Sequence, residues 1–373
     1  MSAATVAGPG RRAGRAGDAG LAERVFRIRE SGILVVLVLF VAATTIAAPR
    51  FLDASNIQFV LVDTATFALL ALGQTMVVIS RNVDLSVGSV VGLSAYLSAS
   101  LFADHPGIPI PVVFLAGLGI GLACGLANGV MVALGRVPSL VVTLATLYII
   151  RGIDILIVGG NEVDASSLPD AFINITKDTV VGIPDIAIAV AAVVAVGAYY
   201  LRTYRSGRDL YAIGSNPDSA RLAGLPVGRR VLVAFAASGA IAGVAGVLWA
   251  SQFPTINSTA GTGYELQVVS AVVVGGVAIF GGSGTATGAA LGALLLTTIN
   301  SALFVLGISS FWDQAIWGFL LLVAIALDQT ITERLTSALR SRKPRSRNAG
   351  PGRPGAPGPD ITSSPTGTGT SHA

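Results

Sequence analysis

Charged side chains are scarce in this sequence. Asp, Glu, Lys and Arg make up 12% of its 373 residues, whereas hydrophobic residues make up 53%, and the mean hydropathy is +0.74. Soluble globular domains carry about 25% charged residues. The scarcity excludes an ordinary soluble protein. The long apolar runs between the few polar residues predict an all-α polytopic membrane protein.

Cysteine and histidine are almost absent as well. Cys124 is the one cysteine and lies inside an apolar run, which excludes a disulfide framework and a cluster of thiolate metal ligands. His105 and His372 lie in a loop and next to the C-terminus, so they provide neither a metal site nor a histidine-based catalytic triad. We therefore expect no metal and no cofactor.

Lysine is nearly missing, and so is the ATP-binding motif that requires it. Neither Lys177 nor Lys343 follows a glycine-rich turn between a strand and a helix, so the sequence contains no Walker A pattern. No nucleophile and base stand at credible positions either, which argues against an enzyme. If ATP drives this protein, another chain binds it.

About ten apolar runs are long enough to be membrane spans, each of roughly 17–25 residues. They cover residues 33–48, 57–80, 85–103, 109–134, 138–158, 184–201, 231–253, 265–280, 286–306 and 311–327. The run 265–280 is short and interrupted by glycines, so whether it crosses fully stays open. We expect a transmembrane permease domain at 33–328.

The two ends of the chain differ in composition from this domain. Residues 1–32 are rich in Ala, Gly and Arg and predict a disordered cytoplasmic tail, in which 21–30 have the apolar positions of a short interfacial helix. Residues 329–373 predict a second disordered cytoplasmic tail, since the stretch from 341 onwards is rich in Pro, Gly, Ser and Thr.

The placement of arginine predicts the orientation. If the N-terminus is cytoplasmic, nearly all cations fall in cytoplasmic segments, and only Arg50, Arg151 and Lys177 lie elsewhere. This agrees with the positive-inside bias and with an even number of spans, which places both termini and the loop 202–230 in the cytoplasm. Residues 159–183 form the main external segment. The net charge of +4 is explained in this way and indicates no nucleic-acid partner.

The loop 202–230 is the longest polar interruption, and it contains the signals of a short helix. Asn216 suits the N-cap, Pro217 the first helical position and Asp218 the positive end of the helix dipole. Gly224 provides a stop and Pro226 prevents the helix from resuming. We predict a two-turn helix at 217–223, presented to a soluble partner. The alternative is a solvated connector.

A polar break separates the second and third spans. Asp84 and Ser86 stand where one span ends and the next begins. They are either a helix N-cap with a carboxylate favoured by the dipole, or a polar break that borders a pathway. Gly88, in the following span, starts a GxxxG pattern with Gly92.

The same spacing recurs near the end of the chain. Gly288 and Gly292 also follow a polar hairpin, which contains Gly281, Gly282, Ser283 and Gly284. Ser283 or Thr285 could cap the helix that comes next. The two patterns suggest a parallel internal repeat, but small residues at this spacing are common in membrane helices.

A few polar residues stand inside the apolar runs. Arg151 and Asp154 are three apart and share one helix face, so each can neutralise the other, as a structural pair or as part of a vestibule lining. Asp63, Asn128 and Asn300 are isolated, and interhelical hydrogen bonds are the default expectation for them.

Four stretches together resemble a known family. They are VDLSVGS at 83–89, TLATLYIIRG at 143–152, GRDLYAIGSNPDSARLAGL at 207–225 and GGVAIFGGSGTATG at 275–288. These stretches are similar to the permease subunits of ABC transporters that import sugars of the ribose, xylose, arabinose and rhamnose type. The resemblance extends over residues 33–327 and does not cover the tails.

The resemblance implies a multi-pass subunit of the bacterial plasma membrane that carries a monosaccharide inward. Its implied partners are a cytoplasmic ATPase on the loop 202–230, a second copy or paralogue of the permease, and an extracytoplasmic sugar-binding protein. The coupling residues would be Asn216, Pro217, Asp218, Ala220, Arg221, Leu222, Ala223 and Gly224. The candidates for the translocation path are Asp84, Ser86, Gly88, Arg151, Asp154, Gly281, Gly282, Ser283 and Gly284.

One departure from the family bears on the substrate. Arg81 and Asn82 precede Val83 where ribose-type members usually have two glycines. This variant is similar to rhamnose and autoinducer-2 permeases, which favours L-rhamnose. The alternative function is an ion-coupled secondary transporter of a small polar solute, which would use Asp63 or the Arg151–Asp154 pair.

Overall fold

The computed structural model describes residues 31–253, 255–309 and 311–341. The expected interfacial helix at 21–30 and most of the expected tails at 1–32 and 329–373 lie outside these residues. The parts of the tails that are described, 31–32 and 329–341, are helical. The described residues up to Gln329 form one compact unit, and those from Thr330 onwards belong to a second. The packing described below belongs to the first unit.

Thirteen α-helices lie within the described residues. They are α1 Ser31–Ala47, α2 Ala54–Ile79, α3 Val87–Asp104, α4 Ile110–Ala133, α5 Ser139–Val158, α6 Asp170–Asn174, α7 Asp185–Thr203, α8 Arg205–Ser215, α9 Pro217–Leu222, α10 Val227–Gln252, α11 Tyr264–Val274, α12 Ala286–Val305 and α13 Phe311–Ser341. Two short 3-10 helices are Pro49–Leu52 and Ala165–Ser167.

The expectation of an all-α polytopic membrane protein is confirmed. Within the described residues, α2, α3, α4, α5, α7, α10 and α12 are long and apolar enough to cross a membrane. The shorter apolar helices are α1, α11 and the first part of α13, so each of the ten predicted runs falls on one helix. At 1.5 Å per residue, α11 extends only about 16 Å, about half of the hydrocarbon thickness.

Some boundaries differ from those predicted. α10 begins at Val227 rather than at residue 231, directly after Pro226, and its first turns include Arg229 and Arg230. Long arginine side chains can reach the interface from such positions, so charge alone does not mark the start of the helix. α13 continues to Ser341, past residue 328, where the sequence predicts the start of a tail.

Helix α2 is the centre of the bundle. α7, α10, α11 and α12 pack around it, and most of its side chains from Val60 to Ile79 are buried. Gln74 and Thr75 are also fully enclosed there. Because α2 is enclosed by other helices along most of its length, it can connect the two ends of the bundle as one rigid helix.

Helices α4 and α10 approach each other through glycines. A Cβ added to Gly121 would collide with the carbonyl oxygen of Gly239, and one added to Gly125 would lie 3.0 Å from the Cα of Gly239. Lipid tails are as apolar as leucine, so membrane helices associate through such close van der Waals contact rather than through a hydrophobic driving force. The glycines therefore fix the distance between these two helices.

The segment between α5 and α7 is folded. It contains α6 and three two-residue strands, β1 Val163–Asp164, β2 Thr179–Val180 and β3 Ile183–Pro184. A fourth two-residue strand, β4 Thr255–Ile256, follows α10. β1 pairs antiparallel with β4, with Val163 opposite Ile256, and β2 pairs with β3. Phe172 of α6 packs on Phe102 of α3 at 4.7 Å between ring centroids, so the segment is anchored to the bundle.

We expect Gly121→Ala to destabilise the protein by roughly 1–3 kcal/mol, because the added methyl group overpacks the contact between α4 and α10. Gly119→Ala is the matched control, since a Cβ there meets nothing within 4 Å. The measurement is thermal unfolding of the detergent-purified protein. Equal stability of the two variants would contradict the close-packing role of Gly121.

Candidate functional site

Helix α9 has hydrogen-bonded caps at both ends. The amide of Ser219 donates to Oδ1 of Asn216 at 2.9 Å, as the N-cap prediction requires. At the other end, the amide of Leu225 donates to the carbonyl of Ala220 and that of Gly224 to the carbonyl of Arg221, both at 3.0 Å. Gly224 has a φ of +79°, the left-handed conformation in which glycine carries no steric penalty. The helix ends at Leu222, one residue before the predicted end.

The outer face of α9 is exposed. Leu222 is 90% exposed although it is apolar, whereas Ala220 is buried and holds the helix against the protein. Asp218 and Arg221 form an exposed ion pair at 3.4 Å, and such pairs contribute little to stability. We call Asp218, Arg221 and Leu222 the α9 face. These exposed side chains contribute little to the packing of the protein, which leaves them accessible to a partner.

Helix α8 was not predicted from the sequence. It buries Leu210, Ile213 and Gly214. Asp209 is also buried. Its Oδ2 accepts a hydrogen bond from Nε of Arg230 at 2.8 Å and forms an ion pair with Nη2 at 2.8 Å, which ties α8 to the start of α10. A charged segment of this kind is easily taken for a loop, unless the spacing of its apolar residues is compared with the period of a helix. The apolar positions at 210 and 213–214 were the available signal.

The C-terminal end of α8 lies against the end of α2 and against a loop. We call the loop at 80–86, which follows α2, the first hairpin, and the loop at 275–285 the second hairpin. A Cβ on Gly214 would collide with the carbonyl oxygen of Ile79, at the edge of the first hairpin, and would lie 2.5 Å from the amide nitrogen of Gly282. The same amide donates to the carbonyl of Ile79 at 2.9 Å. Three segments distant in sequence therefore meet at Gly214.

Further contacts support this meeting point. The hydroxyl of Tyr211 on α8 donates to the carbonyl of Gly284 at 3.0 Å. Gly281, Gly282 and Gly284 have φ values of +82°, +79° and +136°. The backbone carbonyl of Ser283 accepts a hydrogen bond from the amide of Ala278. The hydroxyl that caps α12 is that of Thr285, which accepts from the amide of Gly288. The second hairpin is thus an ordered turn built on glycine.

Asp84 and Ser86 belong to a buried network that joins helices. Oδ1 of Asp84 accepts from the amide of Ser86 at 3.0 Å and from its hydroxyl at 2.7 Å, and Oδ2 accepts from Ser238 of α10 at 3.4 Å. Asn128 of α4 donates to the Ser86 hydroxyl at 2.8 Å. The predicted N-cap is wrong in detail, because the Ser86 hydroxyl bonds to Asp84 and caps no amide of α3.

The two GxxxG pairs both serve close packing. Cβ atoms on Gly88 and Gly92 would meet the carbonyl oxygens of Gly261 and Ala260, and those on Gly288 and Gly292 would meet the carbonyl oxygens of Gly275 and Ala271. Packing alone accounts for the shared spacing. The internal repeat stays a prediction.

Arg151 and Asp154 pair on α5 as predicted, at 3.5 Å. Nη1 of Arg151 also donates to the carbonyls of Ser258 and Ala260 at 3.1 and 2.7 Å. The Asp154 side chain is fully buried. This arrangement favours a structural pair that clamps the 258–260 loop onto α5.

A cavity of about 900 Å³ opens between α2, α11, α12 and α13. Polar residues of its lining include Asn56, Asp63, Gln267, Asn300 and Ser301. Asp63 and Asn300 were expected to bond between helices, and Asn300 does accept from Nε1 of Trp317 at 3.0 Å. The candidate path residues predicted from the sequence lie elsewhere, in the hairpins, the Asp84 network and the α5 clamp.

We expect Arg151→Gln to destabilise the protein by about 3–5 kcal/mol, because it leaves a buried carboxylate without its cation. The double variant Arg151→Gln with Asp154→Asn should recover part of this loss. Thermal unfolding in detergent measures both. If the double variant were no more stable than Arg151→Gln alone, the loop carbonyls rather than the ion pair would explain the effect.

The chain matches known transport proteins over most of its length. A family model described as "Branched-chain amino acid transport system / permease component" matches residues 56–325. The autoinducer 2 import system permease protein LsrC of Enterobacter sp. (strain 638) is 36% identical over 313 residues, and that of Escherichia coli O157:H7 is 37% identical over 321 residues. Each match covers 84% of this chain and 90% of the relative. No solved structure matches the chain.

The matched residues contain both hairpins, α8, α9 and the helices of the cavity. These matches confirm the sequence-based recognition of an ABC-importer permease, whose role is transport rather than catalysis. The chain belongs to the branched-chain amino acid transport system permease family, and it is a multi-pass permease subunit of an ABC importer in the bacterial inner membrane.

Proposed function

We propose that this permease imports a sugar or a sugar-like solute and is driven by a separate cytoplasmic ATPase that docks on the α9 face. A solute-binding protein outside the membrane delivers the solute. The observation that carries the proposal is the contact of α8, which leads directly into α9, with the end of α2 and with the second hairpin at Gly214.

The docking step rests on the α9 face. An exposed leucine next to an exposed ion pair has the composition of an interface, with an apolar anchor and a polar rim. The caps at both ends keep α9 helical without a partner, so little ordering entropy is lost when the ATPase binds. In the orientation that the arginines predict, this face is cytoplasmic.

The transmission step rests on α8. Only Asn216 separates α8 from α9, so a force on α9 moves the end of α8. That end touches the last residue of α2 and the loop between α11 and α12 without an intervening side chain, and Gly281 of the latter loop touches Arg81 in the loop before α3. Closure of the ATPase subunits would therefore shift four helices through one contact.

The choice of solute rests on similarity. The relatives are named as permeases of an autoinducer 2 import system, and the Arg81–Asn82 variant is similar to rhamnose and autoinducer-2 permeases. We propose a monosaccharide-sized solute, with autoinducer 2 as the first candidate and L-rhamnose as the second. A second copy or a paralogue of the permease completes the membrane unit.

An ion-coupled secondary transporter is the competing function. It would require ionisable groups in the membrane that are free to change their charge state. Arg151 and Asp154 are engaged with each other and with a loop, which leaves Asp63 of the groups considered. Family membership favours the ATP-driven mechanism.

Co-purification from gently solubilised membranes tests the proposal. The tagged permease should retain an ATPase subunit, whose hydrolysis rises when a binding protein loaded with autoinducer 2 or L-rhamnose is added. A permease that purifies alone and moves sugar down an imposed proton or sodium gradient would instead establish the secondary transporter.

We expect Arg221→Ala and Leu222→Ala to reduce ATPase co-purification and sugar uptake together, each roughly tenfold or more, as truncation of an interface hot spot does. Both side chains are exposed, so folding should be unaffected. Lys177→Ala, which removes an exposed cation from the segment between α5 and α7, is the control. Normal uptake in both α9 variants would refute the docking role.

Gly214→Val should separate docking from coupling. The α9 face stays intact, so the ATPase should still co-purify, but the added side chain displaces α8 from the hairpins. We expect sugar-loaded binding protein to stimulate hydrolysis weakly or not at all. Gly228→Ala is the control, because its Cβ would meet only the carbonyl oxygen of Ala133 at an ordinary 3.5 Å. Full stimulation in Gly214→Val would exclude transmission through this contact.

A further inference from the structure

The 900 Å³ cavity contains a buried hydrogen-bond donor without a partner. Gln267 of α11 lines the cavity and is only 2% exposed, and its Nε2 has no hydrogen-bond partner among the described residues. An unsatisfied buried polar group costs about 1–3 kcal/mol. Such a group in a native structure calls for an explanation, and an acceptor on a ligand in the cavity is one.

Other polar groups of the lining are held in fixed orientations. The Asn56 Oδ1 accepts from the hydroxyl of Ser301 at 2.8 Å, and the Asn56 Nδ2 donates to the carbonyl of Phe51 at 2.8 Å. Asn300 is fixed by Trp317. Side chains that hold one another in place lose little entropy when a ligand binds.

The lining also provides apolar ring surfaces. Phe67 and Tyr264 pack together at 4.5 Å between ring centroids, and Trp317 lies in the same lining. Apolar and aromatic walls with a few oriented polar groups are typical of small-molecule sites, whose volumes are about 300–1,000 Å³. The cavity thus has the size and the composition of a binding site.

The chemistry of the lining selects the class of ligand. Asp53, Asp63 and Asp313 disfavour an anion. A bare cation would leave the Gln267 Nε2 donor unsatisfied, and Arg50 in the same lining opposes it. A hydroxyl group both donates and accepts, so it satisfies carboxylates and an amide donor together. A neutral, polyhydroxylated solute fits these groups best.

The cavity shares its helices with the Gly214 contact. α2 carries Asn56 and Asp63 in the cavity and ends at Ile79, so about 24 Å of helix joins Asp63 to the contact. α11 and α12 line the cavity and flank the second hairpin. A shift at Gly214 would therefore reach the cavity walls along three helices.

We propose that this cavity is the site at which the permease holds its solute, a neutral polyhydroxylated molecule that hydrogen-bonds to Gln267 Nε2. The proposal rests on the function proposed above and adds the solute site within the permease itself. It assigns Gln267 as a specificity-determining residue.

The first experiment measures uptake by the complete importer in proteoliposomes. Gln267→Leu keeps the bulk of the side chain and removes the donor, so we expect KM for the imported sugar to rise about tenfold or more. Thr298→Val on α12 is the control, since its buried hydroxyl donates to Leu294 within its own helix and does not line the cavity. An unchanged KM in Gln267→Leu would remove Gln267 from the site.

The second experiment reads occupancy without transport. In the complete importer with Cys124→Ala, a cysteine is introduced by Leu303→Cys, inside the cavity, or by Leu306→Cys, on the same helix end but outside the lining. A charged, membrane-impermeant methanethiosulfonate reagent labels both. Autoinducer 2, L-rhamnose or D-ribose at millimolar concentration should slow labelling of Leu303→Cys and leave Leu306→Cys unaffected.

The outcomes distinguish this proposal from the function on which it rests. Equal labelling with and without sugar, in an importer that still transports sugar, would overturn the cavity site and leave the proposed function intact. Protection by choline but not by sugars would overturn the assigned ligand class. Sugar protection in a permease that recruits no ATPase would support the cavity and refute the coupling mechanism.

Discussion

The close contact at Gly214 is the constraint on which this end of the bundle depends. The backbone of α8 touches the backbone of the end of α2 and of the second hairpin there, and any side chain would separate them. Contacts between backbones are short and stiff, since no rotamer can absorb a displacement. The capped α9, the Asp209–Arg230 pair and the glycines of the second hairpin all hold α8 in the one position that allows this contact.

Polar residues inside the bundle are used mainly to join helices. Asp84 and Ser86 connect the start of α3 to α4 and α10, while Arg151 connects α5 to the 258–260 loop. A charged residue at mid-membrane costs about 2.5–3.5 kcal/mol on insertion scales, which explains why these groups have partners. Gln267 differs from them because its amide nitrogen has none among the described residues.

The helix α9 and the ten helices of the bundle could be predicted because each is specified by residues within its own stretch of sequence. Asn216 and Gly224 act within a few residues of their own positions, and apolar length marks a span without knowledge of its neighbours. The cavity depends on tertiary packing, since Asn56, Gln267 and Asn300 come from three separate helices and look like isolated polar residues in the sequence. The same limit explains why the sequence left two roles open for Asp84 and Ser86, because the partner Ser238 is distant along the chain.

The short length of α11 has a consequence for the backbone that precedes it. Tyr264, the first residue of α11, packs on Phe67 in the middle of α2, whereas the turn after α11 bonds to Ile79 at the end of α2. The irregular backbone that leads into α11 therefore lies at the depth of Phe67, where amides and carbonyls are tolerated only beside protein or water. Arg151 donates to the carbonyls of Ser258 and Ala260 in this backbone. Separating α5 from the loop would leave those carbonyls to water, so the loss of this clamp and the entry of water are coupled.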